Sequence, residues 1–513
     1  MSRQPGKVYL LGAGPGDPEL ITARALRRLR EADLVLYDAL VHPELLERAR
    51  PDAARVFVGK RAGRPSERQA RIDAQMIEAA KNGKIVARLK GGDPYLFGRG
   101  SEEAEALAEA GIPFEVVPGV PSPLAATAYA GISLTHRELS SSVAYVTATE
   151  SAEKDRSSHD WAKLATATQT LVIFMGMRKL ETLMEILMEH GRAPDTPVAV
   201  VQWASLPKQR TVVGTVRDIA ARARAAGLGL PAITIVGEVV SLRETLRWYD
   251  TKPLFGTRVL VTRPAHQTDE LSTMLRDEGA DPICVPAIRI LPPSDRAPLE
   301  RAVANAGAYR WVVFTSANGV AAFFDEVDRQ DKDARVLGAA RLCAIGPATA
   351  EALRARGLRA DVVPSEYRGE GAALAIAERD PDLRGARVLL PRAEVAREAL
   401  PAMLEARGAH VDVVPAYRTA GPSADDAIAL RELVHHRRVD VLTFTSPSTV
   451  REVAGALGEA EDAVARFTVA CIGPVTAEAA RARGWPVHVT PTDYTARGLV
   501  EALRAHFAER EAA

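Results

Sequence analysis

Residues 258–498 carry the same pattern twice. RVLVTRP (258–264) is answered by RVLLPRA (387–393), and ADPICVPAIRI (280–290) by AHVDVVPAYRT (409–419). VVFTSANGV (312–320) is answered by VLTFTSPSTV (441–450), CAIGPATAEAL (343–353) by CIGPVTAEAA (471–480), and VVPSEYRGEG (362–371) by HVTPTDYTARG (488–498). The offset is 129 from Pro286 to Pro415 and 127 from Gly346 to Gly473. Five pairs in the same order exclude coincidence. Each copy is too long for a solenoid repeat. The chain must therefore fold part of itself as a duplicated α/β unit, and two such lobes make a cleft where small molecules bind.

The first half has a different rhythm. Short apolar runs stand at VYLLG (8–12), DLVLY (33–37), ARVFVG (54–59), KIVARL (84–89), FEVVP (114–118), TLVIFMG (170–176) and PVAVVQ (197–202). Amphipathic stretches such as ELITARALRRLRE separate the early ones. Strands alternating with helices predict parallel α/β sheets. The Pro- and Gly-rich segment VVPGVPSPLAA (116–126) would hinge two lobes, about 1–118 and 119–248. WYDTKPLFGTR (248–258) reads as a linker before a fresh strand.

Length and composition narrow the function classes. At about 150 residues per domain, 513 residues predict three to four domains. Lys+Arg and Asp+Glu are both 66, so the formal net charge is zero, which argues against a dedicated nucleic-acid binder. No apolar run approaches the length of a membrane span. The N-terminus enters a strand at once, without a leader pattern, which predicts a cytoplasmic protein. Cys284, Cys343 and Cys471 have no CxxC spacing and no nearby His, so neither a disulfide framework nor a metal site is expected.

Three small-residue loops in the first half carry chemistry. GAGPGDPE (12–19) follows a strand and opens a helix, with Asp17 fit to cap it and Pro18 at the first helical position. It resembles a dinucleotide fingerprint by spacing only. The pattern is GxGxG with Pro15 inside, and Asp17 and Glu19 would oppose a diphosphate where anions normally sit. RLKGGDPYLFGRG (88–100) and VPGVPSP (117–123) are the other two loops, and three such loops at strand ends imply a crevice site. GKRAGRPSERQAR (59–71) is either a solvated surface loop or a landing site for a polycarboxylate, with Arg99, His136 and Arg137 adding to it.

Together these blocks resemble uroporphyrinogen-III C-methyltransferase, of the tetrapyrrole methylase family. VYLLGAGPGDPELIT, ADLVLYDALV, VGKRAG, RLKGGDPYLFGRG, YAGISLTHR, TLVIFMGM and ITIVGEVVSLRETLRW carry the likeness over residues 7–249. The resemblance implies two methyl transfers from S-adenosyl-L-methionine to pyrrole carbons, giving precorrin-2, and a homodimer formed through this half. It places the cofactor contacts on Pro15, Gly91, Gly92, Asp93, Leu96, Pro121, Ser122, Met175 and Ala204. The proton acceptor falls on Asp38 and the proton donor on Lys60, with Arg61 and Arg64 as substrate contacts. Ala204-Ser205 stands where the family often has Gly-Thr, Ala148-Thr149 where it often has Gly-His, and Pro121-Ser122 varies a small-residue pair.

The duplicated half resembles uroporphyrinogen-III synthase through VLVTRP, VVFTSANGV, AIGPATA, the connector VVPAYRT (413–419) and IGPVTA. The resemblance implies cyclisation of hydroxymethylbilane with inversion of ring D, and no cofactor. Backbone amides and hydroxyls at the Thr-Ser and Gly-Pro turns would grip acetates and propionates, with Thr315, Ser316, Asn318, Thr349, Thr445, Ser446 and Thr476 as the candidates. Each has local turn capping as its alternative. Tyr417 matches the connector tyrosine and would protonate the departing hydroxyl, or else pack as a hinge aromatic. The expected architecture is a two-lobed methylase fold (1–248), a linker (249–256), then two flavodoxin-like parallel α/β lobes, one from 257–288 with 420–513 and one from 291–415. One lobe per copy is the other arrangement. The tetrapyrrole substrates would be the only partners, with no nucleic acid and no membrane. A degenerate synthase-like half beside an active methyltransferase, a non-catalytic tetrapyrrole sensor and an oxidoreductase are the competing readings.

Overall fold

A computed structural model describes residues 6–59, 69–149, 158–263, 268–395 and 399–512. The chain divides into two compact units. One is Met1–Thr257 with Leu275–Asp281 and Arg504–Ala513; the other is Arg258–Met274 with Pro282–Leu503.

The first unit begins with β1 (Lys7–Gly12), β2 (Leu34–Tyr37), β3 (Ala54–Phe57), β4 (Ile85–Lys90) and β5 (Phe114–Val117), in the order β3-β2-β4-β1-β5 and parallel throughout. Both faces of this sheet are covered. Val8 and Leu10 of β1 join one buried cluster with Leu36 and Met76, while Tyr9 and Leu11 join another with Leu29 and Val35. That is why β1 reads as an unbroken apolar run rather than an alternating one.

A second sheet holds β6 (Val143–Thr147), β7 (Thr170–Phe174), β8 (Pro197–Gln202), β9 (Arg210–Thr215) and β10 (Ala232–Val236), in the order β6-β7-β10-β8-β9. It departs from the expected parallel pattern. β10 runs antiparallel to both β7 and β8, and β8 runs antiparallel to β9. The cause is local: β8 and β9 are joined by a short turn with no helix, and a crossover long enough for a parallel pairing is absent there. The segment after this sheet is packed, with Tyr249 and Leu254 buried and Tyr129, Trp248, Tyr249 and Phe255 in ring contact.

Glu115 on β5 illustrates how the first sheet is tied to its flanking helix. Lys7 Nζ lies 2.9 Å from its carboxylate, and Arg24 and Arg28 reach it at 2.7 and 3.1 Å. The Lys7 ammonium first, then the two guanidinium groups, hold this carboxyl down at about 2, below its ordinary 4.5. The unfolded chain therefore takes up the proton first as pH falls. The stabilisation is present above pH 4.5 and is lost between 4.5 and about 2. Glu115→Gln is expected to flatten the acid limb of thermal stability in that window; an unchanged slope there would show that the carboxylate contributes nothing.

The second unit continues with β11 (Arg258–Val261), β12 (Asp281–Cys284), β13 (Arg289–Leu291), β14 (Trp311–Phe314), β15 (Arg341–Ala344), β16 (Arg387–Ala393), β17 (His410–Ala420), β18 (Val441–Phe444) and β19 (Thr468–Cys471). They form two sheets, β12-β11-β18-β19 and β13-β17-β16-β14-β15. β18 lies parallel between β11 and β19, and β14 to β17 run parallel to one another. The short β13 pairs antiparallel at the far end of β17, Arg289 opposite Ala420. The chain thus leaves the four-stranded sheet after β12 and returns to it after β17, and both crossings join the carboxyl edges of the two sheets. Among the described residues no helix is long and apolar enough to cross a membrane.

Candidate functional site

In the first unit the glycine loops meet because nothing larger would let them. Gly92 N–H donates to Gly14 O at 2.7 Å, and Gly14 N–H donates back to Gly92 O at 3.3 Å. A methyl group built on Gly119 would stand 2.3 Å from the Gly92 carbonyl oxygen and 2.7 Å from Gly12 Cα. Any Cβ there forces the loops after β1, β4 and β5 apart. Asp93 staples the same junction, accepting from Gly119 N–H at 3.0 Å and from Tyr95 N–H at 2.8 Å.

The second sheet's loops close on this junction. A Cβ on Gly16 would lie 3.0 Å from Ala204 O, and Asp17 N–H donates to Ser205 Oγ at 3.1 Å. Leu96 packs against the cluster that contains Phe174 and Ala204, and the Phe97 ring meets Phe174 at 4.8 Å, one residue before Met175. The structure therefore brings Pro15, Gly91, Gly92, Asp93, Leu96, Pro121, Ser122, Met175 and Ala204 to one place. Phe97, Arg99, Met175, Trp203 and Ser205 all hold left-handed backbone there, with φ between 52° and 65°. Non-glycine residues in that region cost about 1–3 kcal/mol each, a cost that clusters at functional sites.

Asp17 caps its own turn, accepting from Glu19 N–H at 2.9 Å, as its position predicts. Its other oxygen accepts from the Tyr129 hydroxyl at 3.1 Å. Burial first, and then the Asp17 charge, push that phenol well above its usual range. Asp17 is a tie between loop and helix.

Asp38 follows β2 and is part-exposed. Its Oδ1 accepts from Arg88 Nη2 at 2.7 Å, and Lys90 Nζ lies 3.9 Å from Oδ2. Arg88 and Lys90 project from the same face of β4 and are 2% and 3% exposed. Glu103, at 0%, offers one oxygen to Arg88 Nε at 3.0 Å, Lys90 Nζ at 3.0 Å and Gln69 Nε2 at 3.2 Å. Burial pulls the Lys90 ammonium down, and Arg88 beside it adds to that effect. Sequence reasoning missed Arg88, Lys90 and Glu103. The only signal was two cations at alternate positions of an otherwise buried strand. Lys60, Arg61 and Arg64 lie outside the described residues.

In the second unit Ser316 caps the helix Ala317–Arg329, accepting from Gly319 N–H at 3.1 Å, and Ser446 caps Pro447–Leu457, accepting from Thr449 N–H at 3.3 Å. Both serines thus spend one lone pair on capping. Ser316 Oγ also meets the Tyr417 hydroxyl at 3.0 Å. Tyr417 is buried in the core of the five-stranded sheet, and burial raises its phenol. Thr315, Asn318 and Thr445 are half-buried at the same strand edges, while Thr349 and Thr476 are buried in the first turns of the helices after β15 and β19. Structure brings Ser316 and Tyr417 into contact; it keeps Thr445, Ser446 and Thr476 on the other sheet. The repeat's arginines were passed over. Arg263 and Arg392 end the equivalent strand runs, and Arg263 Nε is buried with no hydrogen-bond partner among the described residues. No group of three His, Cys, Asp or Glu is gathered as metal donors among the described residues.

Two family models match: Tetrapyrrole (Corrin/Porphyrin) Methylases over residues 7–220, and Uroporphyrinogen-III synthase HemD over 269–501. The chain is 39% identical over 476 residues to the porphyrin biosynthesis protein HemD of Ruminiclostridium josui, covering 93% of both chains. The chain is a tetrapyrrole methylase–uroporphyrinogen-III synthase fusion. Its first unit contains the methylase match, where the glycine loops meet, and its second contains the synthase match apart from Leu275–Asp281, with the duplicated Thr-Ser turns. The fusion is also 42% identical over 335 residues to the uroporphyrinogen-III C-methyltransferase of Bacillus subtilis (strain 168), covering 65% of this chain and 68% of that one. It is 48% identical over 246 residues to the siroheme synthase of Pseudomonas fluorescens (strain SBW25), where it spans 48% of this chain and 53% of the relative.

Proposed function

We propose that the synthase half cyclises hydroxymethylbilane to uroporphyrinogen III, inverting ring D, and that the methylase half then methylates that product twice, giving precorrin-2. The observation that carries this reading is the pairing of families in one chain. The compound named in the synthase family is the substrate named in the methyltransferase relative. Residues 1–248 and 257–513 are the two working parts in this reading, in a cytoplasmic homodimer formed through the first half.

The methylase residues fit S-adenosyl-L-methionine. A methyl group on Gly92 would fill the space 3.7 Å from Ser122 N and 3.8 Å from Pro121 Cα, so the bare backbone leaves a cradle between the loops. When bound, this donor supplies an activated methyl on a sulfonium. Pro15, Gly91, Gly92, Asp93, Leu96, Pro121, Ser122, Met175 and Ala204 would hold it, and the chain's task is to align the pyrrole carbon with it. The pyrrole carbon that accepts the methyl from the sulfonium is fully substituted, and Asp38 takes the proton that the macrocycle must then lose elsewhere to restore neutrality. Arg88 donates to that carboxylate at 2.7 Å and fixes its position beside the crevice. Lys60 returns a proton, with Arg61 and Arg64 on the substrate carboxylates.

In the synthase half Tyr417 gives its proton to the departing hydroxyl, which leaves as water while a pyrrole carbon forms the new bond. The raised phenol stays protonated across the working range, and Ser316 orients it. Helix N-termini behind Thr315, Ser316, Asn318 and Thr349 in one lobe, and behind Thr445, Ser446 and Thr476 in the other, favour substrate carboxylates.

The test is an anaerobic incubation of the full chain with hydroxymethylbilane, with and without S-adenosyl-L-methionine, analysed by mass and isomer type. Type III product alone, shifting to a dimethylated product on adding the donor, is the expected result. Type I product, which forms spontaneously, would leave the second half a degenerate partner.

A further inference from the structure

The repeat preserves one surface feature that folding does not require. Tyr367 and Tyr494 occupy equivalent places in the two copies and are 59% and 58% exposed. Around them SEYRGEG has become TDYTARG, so the tyrosine and the final glycine of each loop survive while every other position differs. The surviving glycines have a steric reason. A Cβ on Gly371 would stand 2.4 Å from Glu366 O, and one on Gly498 2.1 Å from Asp493 O. The tyrosines have no such reason, since rings this exposed bury little area on folding.

Both rings are nevertheless held in one way. Each loop is first pinned to its sheet, Val362 bridging Cys343 and Val489 bridging Ala470. It then turns tightly, with Arg368 N–H donating to Glu366 O at 2.7 Å and Thr495 N–H to Asp493 O at 2.8 Å. The ring leans back on the glycine that opens the helix preceding its loop, Pro347–Ala355 in one copy and Pro474–Arg481 in the other. A methyl group on Gly346 would lie 3.8 Å from the Tyr367 ring, and one on Gly473 3.3 Å from the Tyr494 ring. Those glycines follow β15 and β19, so both tyrosines stand on the carboxyl edges that the two chain crossings join.

We propose that Tyr367 and Tyr494 are paired substrate-contacting residues, one per lobe, whose exposed faces pack against pyrrole rings of the linear tetrapyrrole. The assignment rests on the synthase reading above and adds its aromatic contacts. A substrate built from like heterocycles suits two like surfaces. An aromatic ring gains from offset or edge contact with another. The flanking hydroxyls and helix N-termini on the same edges take the carboxylate arms, leaving the flat faces to the tyrosines.

Steady-state cyclisation of hydroxymethylbilane by the full chain tests this, with Tyr367→Ala, Tyr494→Ala, the double replacement and the two Phe variants. Each Ala variant is expected to raise KM about fivefold and the double about 25-fold, with kcat nearly unchanged and Phe restoring the parent value. Tm is expected to stay at the parent value in all of them. Parent KM in the double variant, with type III product still formed, would overturn the proposal and leave the synthase reading standing. So would a KM rise that tracks a fall in Tm, or one that Phe fails to rescue. Type I product from the parent chain would overturn both.

Discussion

Glu103→Ala is expected to destabilise the methylase part by about 3–5 kcal/mol, because it strands two buried cations. Arg88 and Lys90 share a single carboxylate oxygen of Glu103 at 3.0 Å each, and Arg88 alone keeps a close second partner in Asp38. Lys90 is then left with Asp38 at 3.9 Å in a buried site. Removing Lys90 as well, in Glu103→Met with Lys90→Met, should recover much of the loss, since replacing both members of a buried pair by apolar groups is often close to neutral. The measurement is amide exchange of β4 and the helix Gly100–Glu109 in the full chain. Global two-state unfolding does not apply to a chain of two units. A double variant as unstable as the single would show that packing, not stranded charge, sets the cost.

Asp38→Ala is expected to cut methyl transfer by roughly 10²–10⁴-fold while leaving type III cyclisation at the parent rate. The carboxylate stands part-exposed at the edge of the glycine-loop crevice, and its one close side-chain partner among the described residues is Arg88. A base acts late, after the carbon–carbon bond forms, so its removal should slow turnover more than donor binding. Parallel assays for dimethylated product and for isomer type on one preparation read both halves. Loss of both activities in a folded variant would sink the two-site reading.

The parts legible in the sequence are those where local pattern and tertiary burial agree. β1 and β7 announce themselves because both faces of their sheets are covered, so apolar residues run on without alternation. The family blocks lie in the same glycine loops that the structure closes together. The direction of β10 was hidden, since a strand's sequence does not encode which way its neighbours run. The Arg88–Glu103 pairing was hidden for another reason: one partner is on a strand, the other on a helix, and neither looks buried alone. Ser316 and Tyr417 were both singled out, yet their contact spans 101 residues and follows from the tertiary fold.

The order of strands in the synthase half sets a schedule for the ribosome. β11 must wait for β18, its parallel neighbour, with Val259 opposite Val441. At about 5–20 residues per second, roughly 180 residues of nascent chain mean a delay of about 10–40 s. The five-stranded sheet is contiguous in the chain and completes during that interval. Meanwhile β11, whose Val259, Leu260 and Val261 are fully buried in the finished protein, waits with its apolar edge uncovered. Slower elongation before residue 441 would lengthen that exposure, and such uncovered strand edges are what holdase chaperones shield in the cell.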